Sequence, residues 1–266
     1  MQETFIELVP RTAESLQTEM KDLEQRDISF QGYNLPELRR QKVTFLTPEE
    51  LMFMRMEGAI SPDKKLALHL RTQERDVATN IERIRLLATH GVDMALLVTG
   101  DAFDPGQEPA TCAHHVLKKM DQPIEAIDIA VGADLYMPQW GRWEQKTDAM
   151  HRGVVTAAFT QPIFHPETVA GLAQQTTALP NEKLYAGVTW ITHAKGREYW
   201  SLMNHVPVAH LPAGESDQTI RANSISQSAE ILRLVRQQGY SSYLMPIRGT
   251  LDDLETIFAL SENNRD

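Results

Sequence analysis

The sequence predicts a single (β/α)8 TIM barrel spanning residues 1–266, and three observations predict it. Short apolar runs rich in Val, Ile, Leu and Ala alternate with amphipathic segments along the whole chain, as parallel strands buried on both faces and joined by crossover helices do. The alternation repeats eight times in 266 residues, which suits a closed barrel, with a doubly wound open sheet as runner-up. Polar residues stand at the ends of several apolar runs, where a barrel gathers its functional groups on one rim.

The elements follow in order. "TFIELV" (4–9) reads as the first strand, and "TAESLQTEMKDLEQR" (12–26) as a helix with Leu16, Met20 and Leu23 on one face. "DISFQG" (27–32) reads as the second strand. "TPEELMFMRMEG" (47–58) opens with a capping box: Thr47 caps, Pro48 suits the first turn, Glu50 stands three residues on, and Gly58 stops the helix. "KLALHL" (65–70) is the third strand, and residues 74–91 form a helix with Val77, Ile81, Ile84 and Leu87 or Ala88 along one side. "MALLVTG" (94–100), "AIDIAVGA" (126–133) and "VVTAAFTQ" (154–161) are the fourth to sixth strands, separated by helices over 110–120 and 142–153. A helix over 167–179 precedes the seventh strand, "KLYAGVTWI" (183–191). "AKGREYWSLMN" (194–204) and a longer helix over 217–239 lead to the eighth, "SSYLMPI" (241–247). Asp252, Asp253 and Glu255 open a last helix, where acids suit the positive end of the dipole.

Composition narrows the functional classes. A net charge of −10, with no basic block interleaved with aromatics, disfavours nucleic acid and anionic membranes as partners. The single cysteine, Cys112, excludes an internal disulfide and a multi-cysteine zinc cluster. The N-terminus has no basic stretch leading into a long apolar one, and no run reaches membrane-spanning length, so the expectation is a cytoplasmic protein. His114 and His115 point about 100° apart on a helix, and no carboxylate pattern completes a metal site; none is expected. Trp140 and Trp143 either stack on a ligand or pack a loop onto the barrel, and Asp104-Pro105-Gly106 reads as a turn.

Glu7, Gln31, His69, Asp101 and Gln161 are the polar residues that end or follow strand-like runs. Any one of them is explained by hydrogen bonding to the next loop. As a set they converge on the C-terminal rim of a barrel. A carboxylate on the inner face of the first strand costs free energy unless it finds partners or stays protonated, and burial moves its pKa toward the general-acid range. Glu7 is therefore a candidate proton donor.

"FIELVPRT", "LALHLRTQERD", "LLVTGDAFDPG" and "FTQPIF", in that order, resemble the methylenetetrahydrofolate reductase family; "NHVPVAHLP" and "YLMPIRG" fit it more loosely. The resemblance spans nearly the whole chain. It implies hydride transfer from NADH or NADPH, through bound FAD, between 5,10-methylenetetrahydrofolate and 5-methyltetrahydrofolate, the cofactor carrying the redox step. On that resemblance Glu7 matches the general acid, Asp101 the aspartate near flavin and pterin, and Gln161, with Gln31 beside it, the pterin contacts. His69, Thr99 and Gly100 match flavin-lining positions, and Thr111 and Cys112 those near the flavin phosphates. Two positions depart from the family pattern. Its strand-five tyrosine falls on Ala133 unless Tyr136 substitutes, and its lysine falls on Met150 unless Lys146, one turn earlier, replaces it. These departures lie on the flavin side, so two alternatives stand beside the reductase. One is a tetrahydrofolate-binding one-carbon transferase or demethylation-pathway protein without redox chemistry; the other is a non-catalytic folate-binding protein. The oligomeric state is open between a monomer and a homo-oligomer.

Overall fold

A computed structural model of the chain describes residues 1–39, 43–100, 111–136, 143–175, 178–203, 206, 208 and 215–262. Eight parallel strands close into a barrel in sequence order, β1 pairing with both β2 and β8. The strands are β1 (Thr4–Glu7), β2 (Gly32–Leu35), β3 (Lys65–Arg71), β4 (Met94–Val98), β5 (Asp128–Ala133), β6 (Ala157–Ile163), β7 (Leu184–Thr189) and β8 (Ser241–Met245). The crossovers are α1 (Ala13–Glu24), α2 (Pro48–Met56), α3 (Val77–Thr89), α4 (Ala113–Lys119), α5 (Trp143–His151) and α6 (Pro166–Gln175). Both α7 (Ala194–Met203) and α8 (Asp217–Gln237) lie between β7 and β8, and α9 (Leu251–Glu262) follows the last strand. Among the described residues no helix is long and apolar enough to cross a membrane.

Local chemistry accounts for the helix starts. Thr47 accepts from the Glu50 N–H and Glu50 Oε2 accepts from the Thr47 N–H at 2.7 Å, closing the expected capping box, and Gly58 turns the chain at φ +75°. Thr12 closes a second capping box with Ser15 at the start of α1, and the side chains of Asp76 and Ser216 accept from the Thr79 and Thr219 N–H groups at the starts of α3 and α8.

Alternate residues of each strand face the bore or the helices. Phe5, Ala67, Met94, Leu96, Ala130, Ala157, Phe159, Tyr185, Tyr243 and Met245 fill the bore, with Phe159 stacked on Tyr185 at 4.5 Å between ring centres and Phe5 edge-on to Tyr185 at 5.3 Å. The intervening residues, among them Ile6, Tyr33, Leu68, Leu97, Ile129 and Leu244, pack beneath the helices. At the N-terminal end Glu3 takes Lys65 and the Tyr185 hydroxyl, and Lys183 bonds Asp128 at 3.0 Å. The floor of the barrel is thus closed by paired charges, and the C-terminal end is left to carry chemistry.

Most strands end within two residues of expectation, and two are displaced by three or more. The second begins at Gly32 rather than Asp27: Ile28 and Phe30 are buried but lie outside the ladder, and Gly32 starts it because a Cβ there would fall 2.5 Å from the Lys65 carbonyl and 2.6 Å from Phe5. The sixth runs Ala157–Ile163, so that Gln161 and Pro162 lie within the strand at a shift in register against β7, while Val154 and Val155 are buried before it.

Candidate functional site

Glu7 is two residues beyond Phe5 on β1 and turns into the bore just above it. Its register partner on β2 is Asn34, whose Nδ2 donates to Glu7 Oε2 at 2.9 Å. His69, two residues beyond Ala67 on β3, brings Nε2 to 3.0 Å from Asn34 Oδ1. Because that amide oxygen only accepts, His69 carries its proton on Nε2. Three adjacent strands therefore present one directed chain, from imidazole N–H to amide to carboxyl.

Burial sets the protonation states along this chain. Desolvation raises Glu7 from 4.5 to about 7, the Asn34 hydrogen bond opposing it, and lowers His69 from 6.5 to about 4. At neutral pH the imidazole is uncharged and the carboxyl lies near half-protonation. A charged imidazolium two bonds away would have held Glu7 ionised. Both side chains keep part of their surface accessible.

Across the bore, the Tyr243 hydroxyl donates to the Thr160 carbonyl, and the negative charge of Glu7 is among the causes that raise the tyrosine's pKa. The β6 irregularity places Gln161 on this side, and its buried Oε1 has no hydrogen-bond partner among the described residues. An orphaned buried acceptor costs about 1–3 kcal/mol, so its presence at a rim is informative. Thr160 Oγ1 accepts from the Gly187 N–H at 2.9 Å, and a Cβ on Gly187 would meet the Tyr243 hydroxyl at 2.9 Å. Tyr136 donates to the Pro162 carbonyl at 2.8 Å, which fastens the loop after β5 to β6.

A buried ion network fixes the loops after β2 and β3. Glu37 accepts from the Arg71 N–H at 2.7 Å and from Arg83 at 3.2 Å; Arg83 also pairs with Glu49, and Arg71 Nε with Glu74 at 3.0 Å. Gly100, at φ +103°, lies against this group: a Cβ there would be 2.8 Å from Gln73 Nε2 and 2.9 Å from the Arg71 guanidinium. Thr99 receives the Ala113 N–H at 3.3 Å, Thr111 receives the Thr72 hydroxyl at 3.1 Å, and the Cys112 N–H donates to His115 Nδ1 at 3.2 Å.

The structure brings Glu7, His69 and Gln161 to one mouth, with Thr99 and Gly100 at the end of β4 and Thr111 and Cys112 entering α4. It places Gln31 elsewhere: its side chain accepts from the Thr4 N–H at 2.7 Å, at the N-terminal end of β1, and Asn34 holds the rim position on β2. Asn34 was missed because the second strand was read five residues early; the signal was a polar residue inside "GYNL". Ala133 packs with the helix layer and does not line the bore. Lys146 reaches from α5 to the Gly132 carbonyl at 2.6 Å, and burial lowers its pKa to about 8, the charge of Asp134 opposing. Asp101, Trp140 and the turn Asp104-Pro105-Gly106 lie outside the described residues. Thr99, Thr111 and Cys112 fasten the segments around the start of α4 to their neighbours, and Lys146 ties α5 to β5.

No family model matches the sequence, and no curated protein matches it. Solved structures do match in fold. A dihydropteroate synthase from Yersinia pestis with a pterin–sulfa conjugate is 10% identical, with TM-score 0.52, covering 98% of this chain and 92% of that one. Dihydropteroate synthase from Xanthomonas albilineans in complex with 7,8-dihydropteroate is 12% identical, with TM-score 0.51 and coverage of 98% and 93%. A dihydrodipicolinate synthase from Agrobacterium tumefaciens is 12% identical, with TM-score 0.50, covering 97% of this chain and 73% of that one. At such identities the likeness shows the fold. These neighbours are synthases, and they overturn the resemblance to methylenetetrahydrofolate reductase, along with the oxidoreductase activity, hydride transfer and flavoprotein class it implied. The physical reason is that the quoted motifs are short and lie at strand ends, where any such barrel places polar residues. Their order reports a closed barrel with a polar rim, and the chain is such a barrel, similar in fold to these synthases.

Proposed function

We propose that this chain binds a reduced, folate-type pterin at the C-terminal mouth of the barrel and catalyses transfer of a one-carbon unit on it without redox chemistry. The observation that carries the reading is the enclosed carboxyl of Glu7, hydrogen-bonded to Asn34 and titrating near neutrality in a barrel mouth. The pterin and dihydropteroate named with the structural neighbours support the ligand class.

When the bond between a one-carbon unit and a pterin nitrogen breaks, its electron pair stays on nitrogen. An unprotonated nitrogen would leave as a high-energy anion, so the step needs a proton delivered as the bond lengthens. Protonated Glu7 supplies it, while the acceptor's electron pair forms the new bond to carbon. The carboxylate left behind keeps the Asn34 Nδ2–H, whose orientation the neutral His69 fixes from the far side. Gln161 Oε1 offers an unmet acceptor to the N–H groups of the pterin ring.

Isothermal titration with tetrahydrofolate and 7,8-dihydropteroate tests the reading. Saturable binding is expected, weakened about tenfold by Gln161→Leu through loss of one hydrogen bond. Glu7→Gln should retain binding and lower single-turnover methyl transfer from 5-methyltetrahydrofolate to a thiol acceptor by about 10²–10⁴-fold. Binding without any transfer would leave a folate-binding protein, and absence of saturable pterin binding would remove the proposal altogether.

A further inference from the structure

The rim over β7 and β8 carries two side chains that cannot satisfy one another. His193, just before α7, receives the backbone N–H of Gly196 on Nδ1 at 2.9 Å, a donor it shares with its own carbonyl oxygen at 2.9 Å. A backbone N–H only donates, so Nδ1 is bare and the proton of the neutral ring sits on Nε2. That nitrogen faces Arg248 Nη1 at 3.2 Å, and a guanidinium also only donates. Turning the ring over would present carbon to both partners, so the orientation is fixed by the same contacts. Two donors in contact call for an oxygen that accepts from both.

Among the described residues no carboxylate pairs with His193 or Arg248. Asp253 takes the Trp190 indole N–H at 3.1 Å and Arg221 at 2.7 Å, Asp252 pairs with Arg26 at 2.7 Å, and Asp217 receives the Ala194 N–H at 3.2 Å. The backbone beneath Arg248 is constrained. Arg248 sits at φ +59°, a left-handed conformation unfavourable for a residue with a side chain, and Gly249 after it packs so closely on buried Trp190 that a Cβ would lie 2.4 Å from the ring. Ile247, just before, packs onto the residues of the bore, and β8 lies beside β1, which ends in Glu7. The pair therefore belongs to the same mouth as the Glu7–Asn34–His69 chain.

We propose that His193 and Arg248 form an oxyanion subsite that holds an acidic group of the ligand while its rings occupy the mouth. The shared chemistry is an oxygen acceptor carrying negative charge, which charge-assisted hydrogen bonds favour. Its two sources are a carboxylate on the ligand's tail or a phosphoryl group. Assigning the tail of a folate-type ligand rests on the pterin reading above; the subsite does not.

The test uses the full ¹⁵N-labelled chain and two-bond ¹H–¹⁵N correlation of the histidine rings at fixed pH and ionic strength. The free protein should show His193 protonated on Nε2 alone. Glutarate and inorganic phosphate, titrated separately, should move the His193 ring signals saturably, and Arg248→Gln should weaken that response about tenfold or more, as loss of a hydrogen bond to a charged group does. Stronger binding of glutarate supports the tail carboxylate as occupant; stronger binding of phosphate supports the subsite with a phosphoryl occupant. A His193 protonated on Nδ1, no saturable response to either anion, or an unchanged response in Arg248→Gln overturns the subsite. The His69 signals in the same spectra verify that the barrel mouth is folded in the variant. No pterin enters the experiment, so its failure leaves the pterin reading standing.

Discussion

Removing the Glu7 carboxyl should expose a pH dependence of stability that the intact protein hides. The folded state raises Glu7 from 4.5 to about 7 and lowers His69 from 6.5 to about 4. Between pH 4.5 and 6.5 the folded chain therefore holds a proton on Glu7 and none on His69, while the unfolded chain holds one on His69 and none on Glu7. The proton counts match, so the two contributions to the slope cancel. Taken singly they have opposite signs. The Glu7 contribution is fully present below pH 4.5 and is lost as pH rises toward 7, because only the folded state keeps that proton. The His69 contribution is fully present above pH 6.5 and is lost as pH falls toward 4, because only the unfolded state takes a proton up. Each displacement corresponds to about 3 kcal/mol, at roughly 1.4 kcal/mol per tenfold change in proton affinity. Relative to wild type, Glu7→Gln should gain about 3 kcal/mol as pH rises from 4.5 to 7. His69→Gln should gain a similar amount, about 3 kcal/mol, as pH falls from 6.5 to 4. Urea unfolding at several pH values, with each variant referenced to wild type so that the other carboxylates cancel, measures both differences. Differences that stay flat with pH, or a Glu7 carboxyl carbon signal that titrates near 4.5, would refute the desolvation argument and with it the acid role of Glu7.

Other perturbations follow from the contacts. Asn34→Leu removes the amide that joins Glu7 to His69; it should cost about 2 kcal/mol in unfolding and move the Glu7 titration, followed by carbon NMR, still higher. Glu37→Leu strips the buried partner from Arg83 and from the Arg71 N–H and should cost about 3–5 kcal/mol by chemical denaturation, because buried positive charge loses its counterpart. Gly249→Ala forces a methyl against the Trp190 ring and should destabilise by about 1–3 kcal/mol, with loss of the native indole signal before global unfolding as a second readout.

Much of the architecture was legible locally. The capping box at Thr47–Glu50, the Gly58 stop and the one-sided face of α1 depend on neighbours within a turn or two, and each appears as the spacing predicts; on α3 Ile84, Leu87 and Ala88 are buried as expected, but Asn80 and Arg83 join them while Val77 and Ile81 are only half-buried. The second strand was misread because Ile28 and Phe30 look like strand residues, and they are buried; what excludes them from the ladder is the close approach of Gly32 to Phe5 and Lys65, residues 27 and 33 positions away. Ala133, the position that the family resemblance gave to its strand-five tyrosine, packs under the helices. Whether a strand residue faces the bore or the helices depends on how the barrel closes, and a one-residue change of parity reverses it.

The sequence by itself determined that this chain alternates strands with helices eight times, caps its helices and sets polar residues at strand ends, since these are consequences of short-range periodicity and turn chemistry. It also singled out Glu7, His69 and Gln161. Only the tertiary structure decided that Asn34 couples the first two, that burial drives their protonation states in opposite directions, and that the Gln161 oxygen is left without a partner among the described residues. Desolvation and hydrogen-bond direction belong to the closed barrel, because they arise where side chains from strands distant in sequence share one water-poor space.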